Sequence, residues 1–335
     1  MMMTGYTLQA MREEVGLKFV RRNDLVIAAA YEPLLRADGL DSLDGLFNVS
    51  NAELLSKPGL APWRERLRLI LTDRARTHPA STSGRPLPHP PKADGSVWRD
   101  RIGHSHLDDG DEQCTLYLKR FSNPPLRACR AVRRSGSGAS SIAGAEWVWM
   151  NRLAADGIPC VRPVAFGEEL HGLRELRSAI LTAAAPGSSL ESWVERWGEG
   201  DRAIIRSLIE PLATLVARFH ERGYVHRDLY LSHVFYDPAS PPEASLCLID
   251  LQRVVRPRLR HRRWIIKDLA SLNFSAPLHL VSKTDRLRWL THYLRVSKLD
   301  ASAKRLIYRV VGKTQGIAGH EERRRARWYK RSDGR

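Results

Sequence analysis

The tripeptide His226-Arg227-Asp228 lies between segments whose patterns predict different secondary structures. Before it, apolar residues recur at helical spacing from Ile204 to Phe219. After it come two short apolar runs, Val234-Phe235-Tyr236 and Leu246 to Ile249, with a Pro-rich turn between them. We therefore expect a long helix, a polar loop and a two-stranded hairpin, with Asp250 directly after the hairpin.

A cation and an acid precede this segment on two further predicted elements. Thr115 to Phe121 has the aromatic and threonine content of a strand, which would place Lys119 on a sheet face. Ala143 to Ala155 has apolar residues at helical spacing and predicts a helix that carries Glu146. Because Arg120 stands directly beside Lys119, either cation could instead be a solvated charge on the strand.

Shorter elements fill the chain between these segments. Two further stretches have the composition of strands: Val161 to Phe166 and Ser178 to Thr182. Ser188 and Glu191 have the spacing of a capping box, which predicts a short helix that ends at Trp197. We expect the long helix before the H-R-D tripeptide to begin behind Asp201 as its cap and to be kinked by Pro211.

This order of residues matches the parts that phosphoryl transfer requires. The reaction needs a group that orients the acceptor hydroxyl, ligands for Mg²⁺, and a cation on the nucleotide phosphates that a partner acid holds in place. Each part has a candidate. Asp228 could orient the hydroxyl, and Asp250 could bind Mg²⁺. Lys119 could contact the phosphates, with Glu146 as its partner acid. The H-R-D segment also follows the kinase pattern H-R-D-x-x-x-x-N except at its last position, His233. The set predicts an α+β, two-lobed protein-kinase-like fold with a small β-rich N-lobe and a larger helical C-lobe.

The predicted lobes divide the chain near Ala183-Ala184-Ala185-Pro186-Gly187, which has the composition of a hinge. We expect an N-terminal extension over residues 1–42, the small lobe over 43–183, and the helical lobe with a basic C-terminal tail over 184–335. Residues near 76–95 are rich in Pro, Ser and Gly and poor in large apolar side chains, so they predict a surface insertion in the small lobe.

The charge and hydropathy of the chain exclude several classes of protein. Its 335 residues include 54 Lys plus Arg against 37 Asp plus Glu, a formal net charge of +17, and 43% hydrophobic residues, which is ordinary for a globular protein. No run approaches the roughly 18 apolar residues of a membrane-spanning helix. Met1 to Val15 lacks the apolar core of a secretory signal. The four cysteines form no C-x-x-C pair, which favours a reducing compartment and argues against structural zinc.

Three segments resemble the bacterial lipopolysaccharide kinase family, which includes heptose and Kdo kinases of the lipopolysaccharide core and the InaA-like proteins. They are Tyr224 to Phe235 (Y-V-H-R-D-L-Y-L-S-H-V-F), Leu248 to Arg253 (L-I-D-L-Q-R) and Lys267 to Ala276 (K-D-L-A-S-L-N-F-S-A). Shorter similar segments are Tyr117 to Phe121 and Glu146-Trp147. The resemblance therefore covers the chain from about residue 43 to the C-terminus, apart from the Pro-rich insertion. The resemblance implies a protein-kinase-like fold and transfer of phosphate from ATP to core sugars.

The resemblance also implies roles for individual residues. Asp228 would accept or orient the proton of the sugar hydroxyl, and Asp250 would bind Mg²⁺. Lys119 would contact the nucleotide phosphates, and Glu146 would orient Lys119. Asp268 would brace the backbone of the H-R-D segment.

Two positions depart from ordinary protein kinases. His233 replaces the kinase Asn, as it does in this family, and would either ligate Mg²⁺, which prefers oxygen, or hold the catalytic loop. Gln252 stands where protein kinases have Gly, so a flipping D-F-G switch is not expected. No G-x-G-x-x-G motif precedes Lys119; the nearest glycines lie in Ile102-Gly103-His104 and Asp109-Gly110-Asp111, and the phosphate-covering loop is unassigned.

Two clusters of basic residues suggest the partners. Arg253 to Arg263 contains six arginines and no acid, and Glu321 to Arg331 adds a second cluster. A solvated face is the simplest interpretation. In a kinase-like fold, however, the first cluster follows the metal-binding aspartate into the region that receives substrate, so binding of an anionic glycolipid and an anionic membrane surface is expected. The same charge would attract nucleic acid, which we do not expect as a partner.

These observations predict an ATP- and Mg²⁺-dependent kinase that acts on a heptose or Kdo hydroxyl of the lipopolysaccharide core. It would be cytoplasmic and peripheral on the inner membrane. A protein kinase or another small-molecule kinase is the alternative among enzymes, distinguished by the acceptor that takes up phosphate. A pseudokinase scaffold or a basic nucleic-acid-binding protein is the alternative of another class, supported by the missing Gly-rich loop and by His233.

Overall fold

A computed structural model describes residues 18–55, 61–72 and 113–332 of the chain, and within these ranges two compact units form. The first comprises the described residues up to Ala155 together with Cys160–Ala185, and the second comprises Asp156–Pro159 and the residues from Pro186 onward. The Pro-rich stretch near 76–95, the candidate glycines of the phosphate-covering loop and the N-terminal residues 1–15 lie outside the described residues.

The described part of the first unit is built on a sheet of seven antiparallel strands. In chain order these are β1 (Phe19–Arg22), β2 (Leu25–Ala28), β3 (Glu53–Leu54), β4 (Arg64–Thr72), β5 (Gln113–Ser122), β6 (Pro163–His171) and β7 (Arg174–Ala183). Their order across the sheet is β1-β2-β6-β7-β5-β4-β3. Residues 19–28, which the sequence assigned to an N-terminal extension, therefore extend one edge of this sheet.

One long helix of the first unit is buried on nearly all sides. The described helices of this unit are α1 (Glu32–Ala37), α2 (Leu43–Phe47), α3 (Leu126–Arg133) and α4 (Ile142–Ala155). α4 packs on β5, β6 and β7, and the ring of Trp147 lies 5.0 Å from that of Phe19 and 5.7 Å from that of Phe166. Because truncating such a buried aromatic costs about 3–5 kcal/mol, this packing holds α4 and its Glu146 firmly against the sheet.

The second unit is mainly helical. Its described helices are α5 (Leu190–Arg196), α6 (Arg202–Ser207), α7 (Ile209–Glu221), α8 (His261–Ser275), α9 (Lys283–Leu294) and α10 (Ala301–Ser332), and its strands are β8 (Ser188–Ser189), β9 (Val234–Tyr236) and β10 (Leu246–Leu248), in the order β10-β9-β8. α7 packs against α9, and α8 packs against α10. None of the described helices combines the length and the apolarity needed to cross a membrane.

The predicted elements around the candidate residues are confirmed, with small changes at their ends. β5 contains the predicted strand with Lys119, α4 contains the predicted helix with Glu146, and β9 and β10 form the predicted hairpin. The cap of α5 was predicted one residue too early. Ser189 Oγ accepts a hydrogen bond from the Ser192 N–H at 3.1 Å, whereas Ser188 pairs with Tyr236 between β8 and β9.

The long helix predicted before the H-R-D segment is two helices. It is interrupted at Leu208, between α6 and α7, and not kinked at Pro211. Pro211 lies in the first turn of α7, where a backbone N–H has no intrahelical partner and its absence is tolerated. Asp201 does not cap α6 through its side chain, because its carboxylate accepts from the Gly198 N–H at 2.9 Å instead.

Candidate active site

Lys119 on β5 and Glu146 on α4 form a largely buried ion pair in the first unit. Lys119 Nζ donates to Glu146 Oε1 at 2.6 Å, and the Glu146 side chain has no solvent exposure while that of Lys119 has 15%. Removing one partner of a buried pair leaves an uncompensated charge, which is costly. The pair therefore fixes the position of the ammonium group on one face of the sheet.

The neighbouring cation, Arg120, lies on the opposite face of β5, because successive side chains of a strand alternate. Its guanidinium donates to the backbone carbonyl of Phe47 at 2.5 Å and pairs with Glu65 at 2.9 Å. Arg120 thus fastens α2 to the sheet. Of the two adjacent cations, Lys119 is the one that contacts the acid on α4.

In the second unit, Asp268 on α8 holds the backbone of the H-R-D segment. Its Oδ2 accepts from the His226 N–H at 2.6 Å, and its Oδ1 accepts from the Arg227 N–H at 2.7 Å. The Asp268 side chain is fully buried. Arg227 has φ of +69°, in the left-handed region that non-glycine residues rarely adopt. Hydrogen bonds to an ionised acceptor are stronger than neutral ones and stabilise this conformation.

The carboxylate of Asp228 lies between two cations. Oδ2 accepts from Arg253 Nη1 at 2.5 Å, and Oδ1 lies 3.7 Å from Lys267 Nζ. Lys267 also donates to the backbone carbonyl of Arg227. Burial lowers the pKa of the Lys267 ammonium, and the nearby Asp228 carboxylate acts in the opposite direction. Asp228 is thus held in orientation by contacts from α8 and from the segment after Asp250.

His233 contacts both acidic candidates of this unit. Its Nδ1 donates to the backbone carbonyl of Asp228 at 2.7 Å, and its Nε2 lies 3.6 Å from Asp250 Oδ2. Its ring is stacked on that of His226, with 5.8 Å between centroids. Asp250 itself has φ of +57°, at the entry to the 3-10 turn that follows β10. These contacts connect the H-R-D loop to the end of the hairpin.

His226 is a structural part of this loop. Its Nε2 donates to the backbone carbonyl of Ile249 at 3.0 Å, and the residue is fully buried. Burial lowers the pKa of His226, opposed mainly by the negative charge of Asp268, so the neutral ring is favoured. A neutral ring can hold the loop against β10 without bringing an additional buried charge.

The side chains of the second unit fit Mg²⁺ in part. No group of three or more His, Cys, Asp or Glu among the described residues is arranged to hold a metal ion by itself. Mg²⁺ is commonly bound by one or two carboxylates together with substrate phosphates and waters, and Asp250 can supply such a carboxylate. His233 offers a nitrogen where Mg²⁺ prefers oxygen, and its other nitrogen already binds the Asp228 carbonyl.

Two contacts of Asp228 were not predicted from the sequence. Arg253 and Lys267 both belong to segments that carry the family resemblance, and Arg253 also belongs to a basic cluster, but neither was assigned a contact with Asp228. The available signal was that Lys267 directly precedes Asp268. A residue next to the one that binds the H-R-D backbone must itself lie close to that segment.

These features define a protein-kinase-like fold. An antiparallel sheet carries the Lys and Glu pair, and a helical unit carries an H-R-D loop followed by a hairpin and an aspartate. The chain also has the fold of a solved structure entitled "WaaP in complex with acyl carrier protein", with a TM-score of 0.52. The two are 21% identical in sequence, and the match covers 92% of this chain and 99% of that one. The predicted fold class is therefore confirmed.

Sequence comparison identifies the family that the chain resembles. Residues 130–293 match the Lipopolysaccharide kinase (Kdo/WaaP) family, a range that contains Glu146, Asp228, His233 and Asp250 but not Lys119. The resemblance predicted from the sequence is confirmed over this range.

Characterised relatives carry the same family name. The lipopolysaccharide core heptose(I) kinase WaaP of Pseudomonas aeruginosa is 34% identical over 156 residues, which are 45% of this chain and 58% of that protein. Proteins of the same name from Escherichia coli are 32% identical over 161 residues (46% of this chain, 61% of that protein) and 30% identical over 154 residues (44% and 58%). The chain thus matches about three fifths of the length of these relatives.

Proposed function

We propose that this protein is an ATP-dependent kinase that phosphorylates a heptose or Kdo hydroxyl of the lipopolysaccharide core. The observation that carries the proposal is the Asp228 carboxylate. It lies on a loop braced by Asp268 and between two cations, inside the range that matches the lipopolysaccharide kinases. A carboxylate held in this way is suited to orient a hydroxyl and to take its proton.

In the proposed transfer step, the Asp228 carboxylate accepts the hydrogen bond of the acceptor hydroxyl and takes its proton as the hydroxyl oxygen attacks the γ-phosphorus of ATP. The bond between that phosphorus and the β–γ bridging oxygen breaks, and ADP leaves. Lys267 and Arg253 hold the carboxylate in a fixed orientation before the attack. Lys119, held by Glu146, neutralises charge on the nucleotide phosphates. Most of the catalytic effect then comes from positioning and electrostatic stabilisation.

Asp250 would hold Mg²⁺ together with the phosphates of the nucleotide. When bound, the ion neutralises phosphate charge. His233 is a positioning residue in this proposal, since its two nitrogens connect the backbone of Asp228 to the carboxylate of Asp250. It keeps the hydroxyl-binding and metal-binding carboxylates in a fixed relation to each other.

The acceptor is tested by offering the protein a choice. Mg-ATP labelled at the γ-phosphate is incubated with the protein, a dephosphorylated envelope glycolipid extract and total cell protein in one reaction. The proposal predicts label in the glycolipid. Label found only in protein would instead indicate a protein kinase, and binding of ATP without any transfer would indicate a pseudokinase.

The place of action that we propose is the cytoplasmic face of the inner membrane, with peripheral attachment. The net charge of +17 and the arginines between Arg253 and Arg263 would attract anionic lipids. Flotation with vesicles that contain phosphatidylglycerol tests this attachment. Binding that is lost at high salt is expected, whereas equal binding to neutral vesicles would contradict an electrostatic attachment.

Acyl carrier protein is a further proposed partner. The solved structure named above contains WaaP with that protein, and the second unit of this chain has an apolar cavity of about 450 Å³. Its lining includes Trp197, Leu212, Leu272, Leu306 and Val310. An acyl chain would fill such a cavity. Binding of acylated but not unacylated carrier protein, weakened by Leu272→Asn, is the expected result; equal binding of both forms would contradict it.

A further inference from the structure

A basic pocket in the second unit shares only Lys267 with the transfer step described above. It has a volume of about 270 Å³ and lies between α8 and α10. Its lining combines five cations with one indole ring and one aliphatic side chain: Arg262, Arg263, Lys267, Arg309, Lys313, Trp264 and Ile266. None of the lining residues is acidic. The pocket is therefore a concentration of positive charge in a concave surface.

Most of the positive charge of this pocket has no carboxylate partner among the described residues. Within the described part of the chain, no carboxylate forms an ion pair with four of the cations, Arg262, Arg263, Arg309 and Lys313. Like charges around one cavity repel each other, and an anion in the cavity would remove that repulsion. Guanidinium and ammonium groups are the usual ligands of phosphate and carboxylate.

The walls of the pocket are held by contacts between its two helices. Asn273 Nδ2 on α8 donates to Thr314 Oγ1 on α10 at 3.0 Å, and the same hydroxyl donates to the Val310 carbonyl at 2.9 Å. The guanidinium of Arg227 lies 4.9 Å from the centroid of the Trp264 ring, which fixes the indole. The cations are thus presented by helices whose relative position is fixed by direct hydrogen bonds.

Lys267 connects the pocket to the proposed catalytic carboxylate. Its side chain lines the pocket, while its Nζ lies 3.7 Å from Asp228 Oδ1 and donates to the Arg227 carbonyl. An anionic group bound in the pocket would therefore lie close to the hydroxyl that Asp228 orients. This is the arrangement required to select an acceptor that carries a negative charge near its reactive hydroxyl.

We propose that the pocket binds a phosphate or carboxylate group of the acceptor and so determines which acceptor is used. The proposal rests on the proposed kinase function and adds the chemical class of the acceptor, a glycolipid with an anionic substituent beside the phosphorylated hydroxyl. Arg309 and Lys313, one turn apart on α10, are assigned as specificity-determining residues.

A matched pair of double variants tests this assignment. Arg309→Ala with Lys313→Ala removes two charges from the pocket. Lys304→Ala with Arg305→Ala removes the same two residue types from exposed positions on the same helix, outside the pocket. Both variants change the net charge equally. A difference between them therefore reports the pocket and not the overall charge.

The first measurement is binding of the envelope glycolipid extract in neutral detergent micelles, without ATP, with inorganic phosphate as competitor. The pocket variant is expected to bind roughly tenfold more weakly or worse, and the control variant to bind like wild type. Phosphate should compete with the glycolipid on wild type but not on the pocket variant. Equal binding by the two variants, whether both weakened or both unchanged, would overturn the proposal.

Two further measurements are needed. The first distinguishes an anion on the acceptor from an anionic lipid headgroup, and the second distinguishes failure of the pocket proposal from failure of the kinase proposal. Vesicles that contain phosphatidylglycerol are bound equally by both variants if the pocket serves the acceptor; a loss confined to these vesicles would overturn the proposal in favour of lipid headgroups. With active enzyme, the pocket variant should raise KM for the glycolipid about tenfold while KM for ATP stays unchanged. Pocket-dependent glycolipid binding without any phosphotransfer would contradict the kinase function but support the pocket.

Discussion

The carboxylate of Asp268 accepts a hydrogen bond from the backbone N–H of Arg227 at 2.7 Å, at a residue whose φ is +69°. A non-glycine residue in the left-handed region costs on the order of 1–3 kcal/mol. The buried carboxylate offsets that cost and places the next residue, Asp228, with its side chain between Lys267 and Arg253. The conformation of the proposed catalytic loop thus depends on a residue on another element, α8.

We expect Asp268→Asn to impair both stability and phosphotransfer. The amide can retain one of the two backbone contacts but loses the negative charge. The free energy of unfolding, measured with urea, should therefore fall by about 2 kcal/mol. kcat should fall at least tenfold because Asp228 is less well positioned, while KM for ATP changes little. Asp285→Asn is the control, because the Asp285 carboxylate accepts from the Ser282 N–H in the capping box of α9, in the same unit. It should lose stability and keep kcat; an equal loss of kcat in both variants would contradict a specific role for Asp268.

The pair formed by Lys119 and Glu146 gives a prediction about coupling. Lys119→Met leaves the carboxylate of Glu146 buried without its cation, so the free energy of unfolding should fall by about 3–5 kcal/mol. Adding Glu146→Gln should recover much of that loss, because no buried charge is left. Urea unfolding of both single variants and the double variant measures the coupling energy. Additive effects would show that the two side chains do not interact, and every variant without Lys119 should bind ATP more weakly.

The separate roles of Asp250 and His233 can be distinguished by magnesium dependence. Asp250→Asn should raise the Mg²⁺ concentration needed for half-maximal activity, because it removes a charged oxygen ligand. His233→Ala should lower kcat by weakening the contact with the Asp228 carbonyl, with the Mg²⁺ requirement unchanged. Titration of activity with Mg²⁺ in both variants is the measurement. A Mg²⁺ requirement raised as much in His233→Ala as in Asp250→Asn would contradict a role of His233 that is mainly in holding the loop of Asp228.

Glu175 predicts a dependence of stability on pH. It is buried, and its carboxylate accepts from the Ser178 hydroxyl at 2.5 Å and from the Ile142 N–H at 3.0 Å, at the start of α4. Burial raises the pKa of Glu175 to about 7 from its ordinary value of 4.5, against the opposing effect of these hydrogen bonds. The folded state therefore binds more protons than the unfolded state between these two values. Stability should fall as pH rises through this window, by up to about 3 kcal/mol from this residue.

Urea unfolding at a series of pH values tests this expectation, with Glu175→Gln as the comparison. In the variant, the free energy of unfolding should fall less steeply with pH between pH 4.5 and 7, because the contribution of Glu175 is gone. Above pH 7 the variant should be more stable than wild type. Identical slopes for the two proteins would show that Glu175 keeps its ordinary pKa in the fold.

Local patterns were sufficient to predict the elements that carry the candidate residues. Strand composition predicted β5 with Lys119, and helical spacing predicted α4 with Glu146. Both patterns lie within a single strand or helix, because they reflect which side chains that element must bury. They can therefore be recognised without knowledge of the rest of the fold. The roles of Asp228 and Asp250 came from the order of motifs along the chain and remain proposals.

Contacts between distant elements could not be predicted in the same way. The interruption at Leu208 and the cap at Ser189 depend on local competition between hydrogen bonds that spacing alone does not resolve. The contact of Lys267 with Asp228 and the basic pocket between α8 and α10 depend on how helices pack. The sequence shows that these residues are charged, but only the fold shows which charges share a cavity.

The most direct test of the proposed catalytic role is phosphotransfer from Mg-ATP to the dephosphorylated glycolipid by wild type and by Asp228→Ala, measured together. Asp38→Ala, at an exposed position in the first unit, is the control for loss of an aspartate. We predict that the Asp228 variant folds, binds ATP and loses at least about a thousandfold in kcat, since it lacks the group that takes the hydroxyl proton and positions the oxygen. Glycolipid phosphorylation at the wild-type rate by Asp228→Ala would contradict the central claim.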